Sequence, residues 1–573
     1  MDYKMIYDNW ISNPLLCTEG LNELKSIENN EKEIEYRFGA ELAFGTGGMR
    51  GFIGYGTNMM NIYTVRRATK GLAEHIIGLG KNAMRKGVAI SYDTRNYSHT
   101  FAMTAAGVLI AHGIKVYMYS EPRPVPMLSY AVRKLGATAG IMITASHNPK
   151  EYNGYKLYGA DGAQMAPEST DIILENIKKV TDYFSIKTVD ITSPSQMSAM
   201  VQISARFERG YYNIVKKLGI SPKAVKAMGK NIKIVYTSLH GTGLIPVTTV
   251  LKKMGIEATV VEEQRQYNGE FPTVEVPNPE NKEALTIAIN LANKIKADVV
   301  FGTDPDCDRL GVAIRNNEGE FIGLTGNQVG AIMLEYILMR LKQDNKLPEN
   351  AVAVKSFVST NLAQSICDHY GVELCETPVG FKFIGEKIKK FEQDKSKTYL
   401  FGFEESCGYL RGTHARDKDA VVASMLFAEL SCWCAHNGKS VYSFLSDIYE
   451  RLGYFYDNTV SVKYSGLHAM SEMNAVVEKM RELKPQTIGM YNIVAIRDYL
   501  PGKRYCKDET TDLEYTGINC IYYELEGGGF VCLRPSGTEP KLKIYYSVSG
   551  KNQETCQKNY NELLTAFTEM VQC

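Results

Sequence analysis

The sequence predicts an α/β fold: three related α/β units on mixed or parallel sheets, then a separate C-terminal α+β domain. Two observations carry this. Three times over, three short apolar runs rich in Val, Ile, Leu and Tyr alternate with stretches of helical length. After about residue 451 that alternation stops, and apolar runs joined by a Gly-rich turn precede one last helix.

The first unit has its runs at 88–92, 114–118 and 140–143. The second has them at 232–236, 258–261 and 298–301, and the third at 351–354, 372–374 and 398–401. In the C-terminal part, 518–525, 530–533 and 541–548 read as antiparallel strands, with Gly527-Gly528-Gly529 as a hairpin turn. Residues 552–571 read as a helix with Tyr560, Leu563, Leu564 and Phe567 on its apolar face. At 573 residues the chain exceeds what one hydrophobic core supports. The expected domains are 1–210, 211–325, 326–450 and 451–573. No low-complexity linker separates them, so they are expected to pack closely.

Composition narrows the function. Net charge is +1, from 65 basic and 64 acidic residues, which argues against nucleic acid or an anionic membrane as the main partner. No export signal is visible at the N-terminus. The most apolar stretch, 420–435, contains Glu429, is too short to span a bilayer and reads as a buried helix. The 12 cysteines show no paired metal spacing, which fits reduced thiols in a cytoplasmic enzyme.

The chemistry is concentrated in the loops after the third run of each unit, where ligands of open α/β sheets bind. The first such loop is Thr144-Ala145-Ser146-His147-Asn148-Pro149. Ser146 offers a hydroxyl just past a buried strand, with His147 and Lys156 as the nearest titratable groups; its bland reading is a helix cap. No Gly-x-Ser-x-Gly elbow surrounds it, which disfavours a Ser-His-Asp hydrolase. The second loop carries Asp304, Asp306 and Asp308, then Arg309. It begins like an EF-hand but has Arg309 and Arg315 where that loop needs Gly and Glu. Three carboxylates this close repel one another unless a hard cation such as Mg²⁺ joins them, and a phosphorylated Ser146 suits it as a further ligand. The third loop, Gly402-Phe403-Glu404-Glu405-Ser406, can hydrogen-bond sugar hydroxyls or cap a helix.

Two further segments stand out. Arg534-Pro535-Ser536-Gly537-Thr538-Glu539-Pro540-Lys541 is either a nest for a phosphate monoester or a plain turn. Gly45-Thr46-Gly47-Gly48-Met49-Arg50-Gly51 lacks the Lys-Ser/Thr ending of a P-loop, but Arg50 can steady a transferring phosphoryl group.

Taken together, these ordered motifs resemble the α-D-phosphohexomutase superfamily, the phosphoglucomutase and phosphomannomutase group, over nearly the whole chain. Length and the forms of the 45–51 and 402–406 segments look like its longer phosphoglucomutase-2-like branch. The resemblance implies four domains around a central cleft and an intramolecular phosphotransferase of carbohydrate metabolism, cytoplasmic, monomeric or weakly dimeric. It implies a glucose 1-phosphate/glucose 6-phosphate mutase using Mg²⁺ and glucose 1,6-bisphosphate. Phosphomannomutase, phosphopentomutase and glucose 1,6-bisphosphate synthase activities are the alternatives. Ser146 would be the phosphoserine, sharing Mg²⁺ with Asp304, Asp306 and Asp308. His147 and Lys156 would be the acid/base candidates, and Arg50 and Arg309 would steady the transferring group. Glu404 and Ser406 would bind the sugar, with Lys382 another ligand contact. Arg534, Ser536, Gly537 and Thr538 would hold the second phosphate.

Overall fold

The computed structural model describes residues 2–45, 47–191, 199–465, 468–507, 509–536 and 540–572. In the first segment the strands are β1 (Phe44–Gly45), β2 (Gly48–Phe52), β3 (Val88–Tyr92), β4 (Val116–Met118), β5 (Ala139–Ile143), β6 (Tyr152–Gly159) and β7 (Met200–Gln202). In the second they are β8 (Ile234–Thr237), β9 (Ala258–Val260), β10 (Val299–Thr303), β11 (Leu310–Arg315) and β12 (Phe321–Leu324). The third has β13 (Ala351–Ser356), β14 (Glu373–Thr377), β15 (Thr398–Glu404) and β16 (Gly408–Arg411). The C-terminal segment has β17 (Tyr454–Lys463), β18 (Thr487–Ile488), β19 (Tyr491–Asp498), β20 (Lys503–Cys506), β21 (Glu509–Asp512), β22 (Ile521–Leu525), β23 (Phe530–Pro535) and β24 (Lys541–Gly550).

The chain divides into two compact units. One holds Met1–Gly326, Phe381–Gly402 and Ser406–Ser440; the other holds Asn327–Gly380, Phe403–Glu405 and Val441–Cys573. In the first unit, one sheet has the order β1-β2-β6-β5-β3-β4-β7 and another β12-β11-β10-β8-β9. The runs expected from sequence form the parallel centres, β5-β3-β4 and β10-β8-β9. Strands β3, β5 and β10 are buried along their whole length, as continuous Val/Ile-rich runs require. Antiparallel strands β6, β2, β11 and β12 extend both sheets. The periodicity did not disclose β2 and β6, because Gly, Arg, Asn and Lys interrupt Gly48–Phe52 and Tyr152–Gly159. Their pairing sets Arg50 opposite Gly154 and Lys156 opposite Gly48. The helix Ala420–His436 is apolar all round and buried, as expected. Among the described residues no helix is long and apolar enough to cross a membrane.

In the second unit β13 and β14 run parallel, with Ser356 opposite Thr377 at their carboxyl ends. The C-terminal sheet follows the order β17-β24-β23-β22-β19-β20-β21, with β18 added to β19, and is antiparallel throughout. Gly527 and Gly528 both sit at φ +82 in the β22–β23 turn, where side-chain-bearing residues are strained. The closing helix Gln553–Gln572 buries Tyr560, Leu563 and Phe567 against this sheet.

Gly154 lies in β6 between β2 and β5. A Cβ there would stand 2.6 Å from the Thr144 carbonyl and 2.9 Å from that of Met49. Gly154→Ala should therefore lower stability by about 1–3 kcal/mol, read as an earlier urea midpoint at unchanged slope.

Candidate active site

Ser146 leaves β5 with φ +53, a left-handed backbone that is uncommon outside glycine. Such strain costs about 1–3 kcal/mol and persists only where the surroundings impose it. Here Arg95 does so. Its buried guanidinium donates to the carbonyl of Ser146 at 2.6 Å, of Pro149 at 2.8 Å and of Tyr152 at 3.2 Å, and to that of Asn148. Thr144 adds a second hold: its hydroxyl accepts from the Ser146 N–H at 2.8 Å and donates to Asp93 Oδ2 at 2.6 Å. Asp93 also accepts from Ser98 Oγ and the Arg95 N–H. Ser146 is thus no helix cap; its hydroxyl is aimed.

That hydroxyl donates to Asp304 Oδ2 at 2.9 Å and lies 3.2 Å from His147 Nδ1. Asp304, Asp306 and Asp308 follow β10, are buried, and bring one carboxylate oxygen each within 4.8 Å of one another. Asp304 Oδ1 accepts from the backbone N–H groups of Asp308 and Arg309 at 3.1 and 3.0 Å. Burial pushes the Asp304 carboxyl well up, and the neighbouring Asp306 and Asp308 push the same way. Burial also opposes charge on Asp306, but the Lys156 ammonium 3.0 Å from its Oδ2 holds it below the ordinary carboxylate range. Asp308 is pushed up by burial and by Asp306. Lys418 Nζ stands 3.1 Å from Asp308 Oδ2 and 3.2 Å from Asp417 Oδ1. Asp417 Oδ2 accepts in turn from Tyr158 at 2.9 Å.

Asp306 Oδ1 and Asp308 Oδ1 are buried with no hydrogen-bond partner among the described residues. Orphaned carboxylate oxygens are rare, and an all-oxygen donor set suits a hard divalent ion. The residues therefore fit a hard divalent ion such as Mg²⁺, which Asp304, Asp306 and Asp308 could hold.

Around this centre, Arg50 Nη1 donates to Asn148 Oδ1 at 2.8 Å, and the Arg309 guanidinium pairs with Glu280. Burial keeps His147 well below its ordinary value, and the charges of Arg309 and Arg50 add to this, so its imidazole is neutral. Ser146, His147, Lys156, Arg50, Arg309 and the three aspartates are brought together in this unit. Lys382 lies in the helix Phe381–Asp394, its ammonium 4.8 Å from the Phe383 ring centroid. Ser406 follows β15 and is half-buried.

The other unit carries a second group. Glu404 Oε1 accepts from the Gly380 N–H at 2.7 Å, and Glu405 Oε2 accepts from Ser356 Oγ at 2.9 Å. Arg534 is the penultimate residue of β23; burial opposes its charge, while Tyr545 and Glu405 favour it. The Ser536 N–H donates to the Lys541 carbonyl at 2.8 Å. Thr46, Gly537 and Thr538 lie outside the described residues.

Sequence reasoning missed Asp93, Arg95, Asp417 and Lys418. The first two had a usable signal, since Asp93-Thr94-Arg95 follows the carboxyl end of β3. Arg416-Asp417-Lys418-Asp419 could have been noticed as a charge cluster before an apolar helix, but not its partner Asp308.

Comparison with known proteins bears on this geometry. Residues 41–184, 209–319 and 325–452 match phosphoglucomutase/phosphomannomutase α/β/α domains I, II and III. A phosphoglucomutase of Staphylococcus epidermidis is 35% identical over 563 residues, covering 97% of this chain and 99% of the relative. One from Staphylococcus aureus is 36% identical over 548 residues, covering 94% and 96%. The open form of the Paramecium phosphoglucomutase parafusin superposes with a TM-score of 0.68 at 17% identity, over 93% of this chain and 96% of that one. A phosphoglucomutase/phosphomannomutase family protein from Burkholderia thailandensis does so with a TM-score of 0.64 at 16% identity, over 92% and 97%. These two show the shared fold. With the matched domains and relatives of near-equal length, the chain belongs to the phosphoglucomutase/phosphomannomutase family and is an intramolecular phosphotransferase.

Proposed function

We propose that this enzyme interconverts glucose 1-phosphate and glucose 6-phosphate through a phosphoserine at Ser146 and a glucose 1,6-bisphosphate intermediate. The observation that carries the reading is the Ser146 hydroxyl, 2.9 Å from Asp304 in a loop of three buried carboxylates. The name borne by the Staphylococcus relatives supports the glucose preference.

The chemistry needs two transfers. Phosphorylated Ser146 gives its phosphoryl to the free hydroxyl of the substrate: the bond from phosphorus to Ser146 Oγ breaks, and one to the sugar oxygen forms. The hydroxyl proton passes to the neutral His147 and the Ser146 Oγ set free takes up a proton, for which the Lys156 ammonium, paired with Asp306, is the second candidate donor. The bisphosphate then presents its other end, returns that phosphoryl to Ser146 Oγ and recovers the proton, so no water is consumed. Mg²⁺ held by Asp304, Asp306, Asp308 and the serine phosphate would supply charge neutralisation at the transferring group. Arg50 and Arg309 add fixed positive charge beside Ser146, where a phosphoryl transition state spreads its own. Glu404, Ser406 and Lys382 bind the sugar, and Arg534, Ser536, Gly537 and Thr538 bind the non-reacting phosphate. Glucose 1,6-bisphosphate added in trace primes unphosphorylated Ser146.

Five measurements test this. Ser146→Ala should cut kcat by about 10⁴-fold or more without changing the fold, and the purified parent protein should carry phosphate on Ser146 by mass spectrometry. Conversion of mannose or ribose 1-phosphate ahead of glucose 1-phosphate would keep the mechanism and refute the sugar. Asp306→Asn should weaken Mg²⁺ binding by about 10-fold or more, seen as loss of the Mg²⁺-dependent rise in melting temperature. If His147 is the base, kcat/KM should stay flat through its ordinary value of 6.5, because its depressed value keeps it unprotonated there. A profile over about pH 5–8 checks this, and an inflection near 6.5 that vanishes in His147→Gln refutes it.

A further inference from the structure

We propose that the three N-terminal helices are a brace that positions the transfer site, with Arg37 as its positioning residue. The inference rests on the functional reading above in that Arg50 and Ser146 are taken as the residues served.

Helices α1 (Tyr3–Ile11), α2 (Thr18–Ser26) and α3 (Glu31–Phe38) precede residue 41, where the match to domain I begins. They have a core of their own: Tyr7, Trp10, Leu24 and Phe38 pack together and close on Tyr55 and Tyr63. Two sets of polar contacts and one aromatic line lead from them toward the residues that hold Ser146 and Arg50.

The first set goes to the turn that follows β2, the strand carrying Arg50. Glu23 Oε1 accepts from the Tyr55 N–H at 3.0 Å. Arg37 pairs with that same carboxylate and donates to the Tyr55 carbonyl at 3.3 Å. The Arg37 carbonyl accepts from the Asn58 N–H at 3.0 Å. Glu33 holds Arg37 Nε from the preceding turn of helix at 2.7 Å. The turn is shaped for this contact: Gly56 has φ +138, and a Cβ there would meet the Arg37 carbonyl at 2.8 Å.

The second set goes to the loop of Asp93 and Arg95, which imposes the left-handed backbone of Ser146. Tyr97, itself at φ +64, ends that loop, and its hydroxyl donates to Glu19 of α2. The third is an aromatic line. The Tyr36 ring of α3 lies 6.4 Å from Phe52 at the end of β2, and Phe52 lies 4.2 Å from Tyr152. The Tyr152 carbonyl is one of those that Arg95 grips.

One helical segment therefore contacts the strand of Arg50 and the loop of Arg95, and reaches the strand that follows the serine loop through Phe52. Phosphoryl transfer relies on positioning more than on covalent help from the protein, so small displacements there cost rate. None of the brace residues touches the reacting atoms; their effect runs through Arg50 and Ser146.

The test compares full-length Arg37→Met, Arg37→Lys and Tyr97→Phe with the parent. Arg37→Met should lower kcat by about 10- to 100-fold while KM for glucose 1-phosphate moves by less than about 2-fold. Hydrogen exchange in Arg37→Met should quicken by about 10-fold at the amides of residues 48–58 and 145–149. Arg37→Lys, which keeps a cation for Glu23, should recover part of both effects, and Tyr97→Phe should quicken exchange at 93–97 and 145–149. Faster exchange confined to residues 53–58 with unchanged kcat overturns the brace. Should Arg37→Met fail to fold, unchanged exchange at 145–149 in Tyr97→Phe overturns it. Exchange needs no turnover, so a parent protein inactive on glucose phosphates would refute the functional reading and leave this result standing.

Discussion

Burying Asp304, Asp306 and Asp308 within 4.8 Å of one another takes three carboxylates out of water and sets them against each other. Everything near them reads as a response. Lys156 from β6 answers Asp306, Lys418 answers Asp308, and two backbone N–H groups answer Asp304. Two cations and two amides leave Asp306 Oδ1 and Asp308 Oδ1 without a hydrogen-bond partner among the described residues. A loop that merely needed stability would have done better with apolar residues of similar size, since buried ion clusters are weak stabilisers. The cluster is explained by what it can hold.

The second constraint is the direction of the Ser146 hydroxyl. A left-handed serine is costly, and the cost is met by a guanidinium that grips four carbonyl groups between Ser146 and Tyr152. Arg95 is buried and its charge is answered by Asp93 at 3.3 Å, so the grip cannot wander. The geometry around the nucleophile is therefore set by residues that never meet the substrate. This is the usual architecture where catalysis depends on preorganised positions.

Much of this was legible beforehand, for a physical reason. Fully buried parallel strands must be continuous apolar runs, so β3, β5, β8, β10 and β13 announce themselves. The rule that ligands sit beyond strand carboxyl ends then points to Ser146, the three aspartates and Glu404 without any three-dimensional knowledge. What stayed hidden depends on partners far away in sequence. Nothing local to Lys418 tells that it reaches Asp308, and nothing in Gly48–Phe52 tells that it pairs with Tyr152–Gly159 and lies beside the serine loop. The N-terminal helices read only as polar sequence, because their buried residues are few and widely spaced and their contacts are made to glycine-rich turns.

The hydrogen bond from Ser146 to Asp304 also bears on what phosphorylation of the serine would do. It exists because the serine oxygen carries a proton to donate. Replacing that proton by a phosphoryl group sets acceptor oxygens, with their own negative charge, against an acceptor carboxylate. Lys156 and Lys418 are already engaged by Asp306, Asp308 and Asp417, so they cannot absorb the added charge. In the proposed mechanism the phosphorylated serine therefore needs a divalent cation more than the free serine does. Such dependence is reciprocal: whatever free energy the cation gives the phosphoserine, the phosphoserine returns as cation affinity. The carboxylate loop and the serine loop, on different sheets of one unit, are on this argument two halves of a single binding equilibrium.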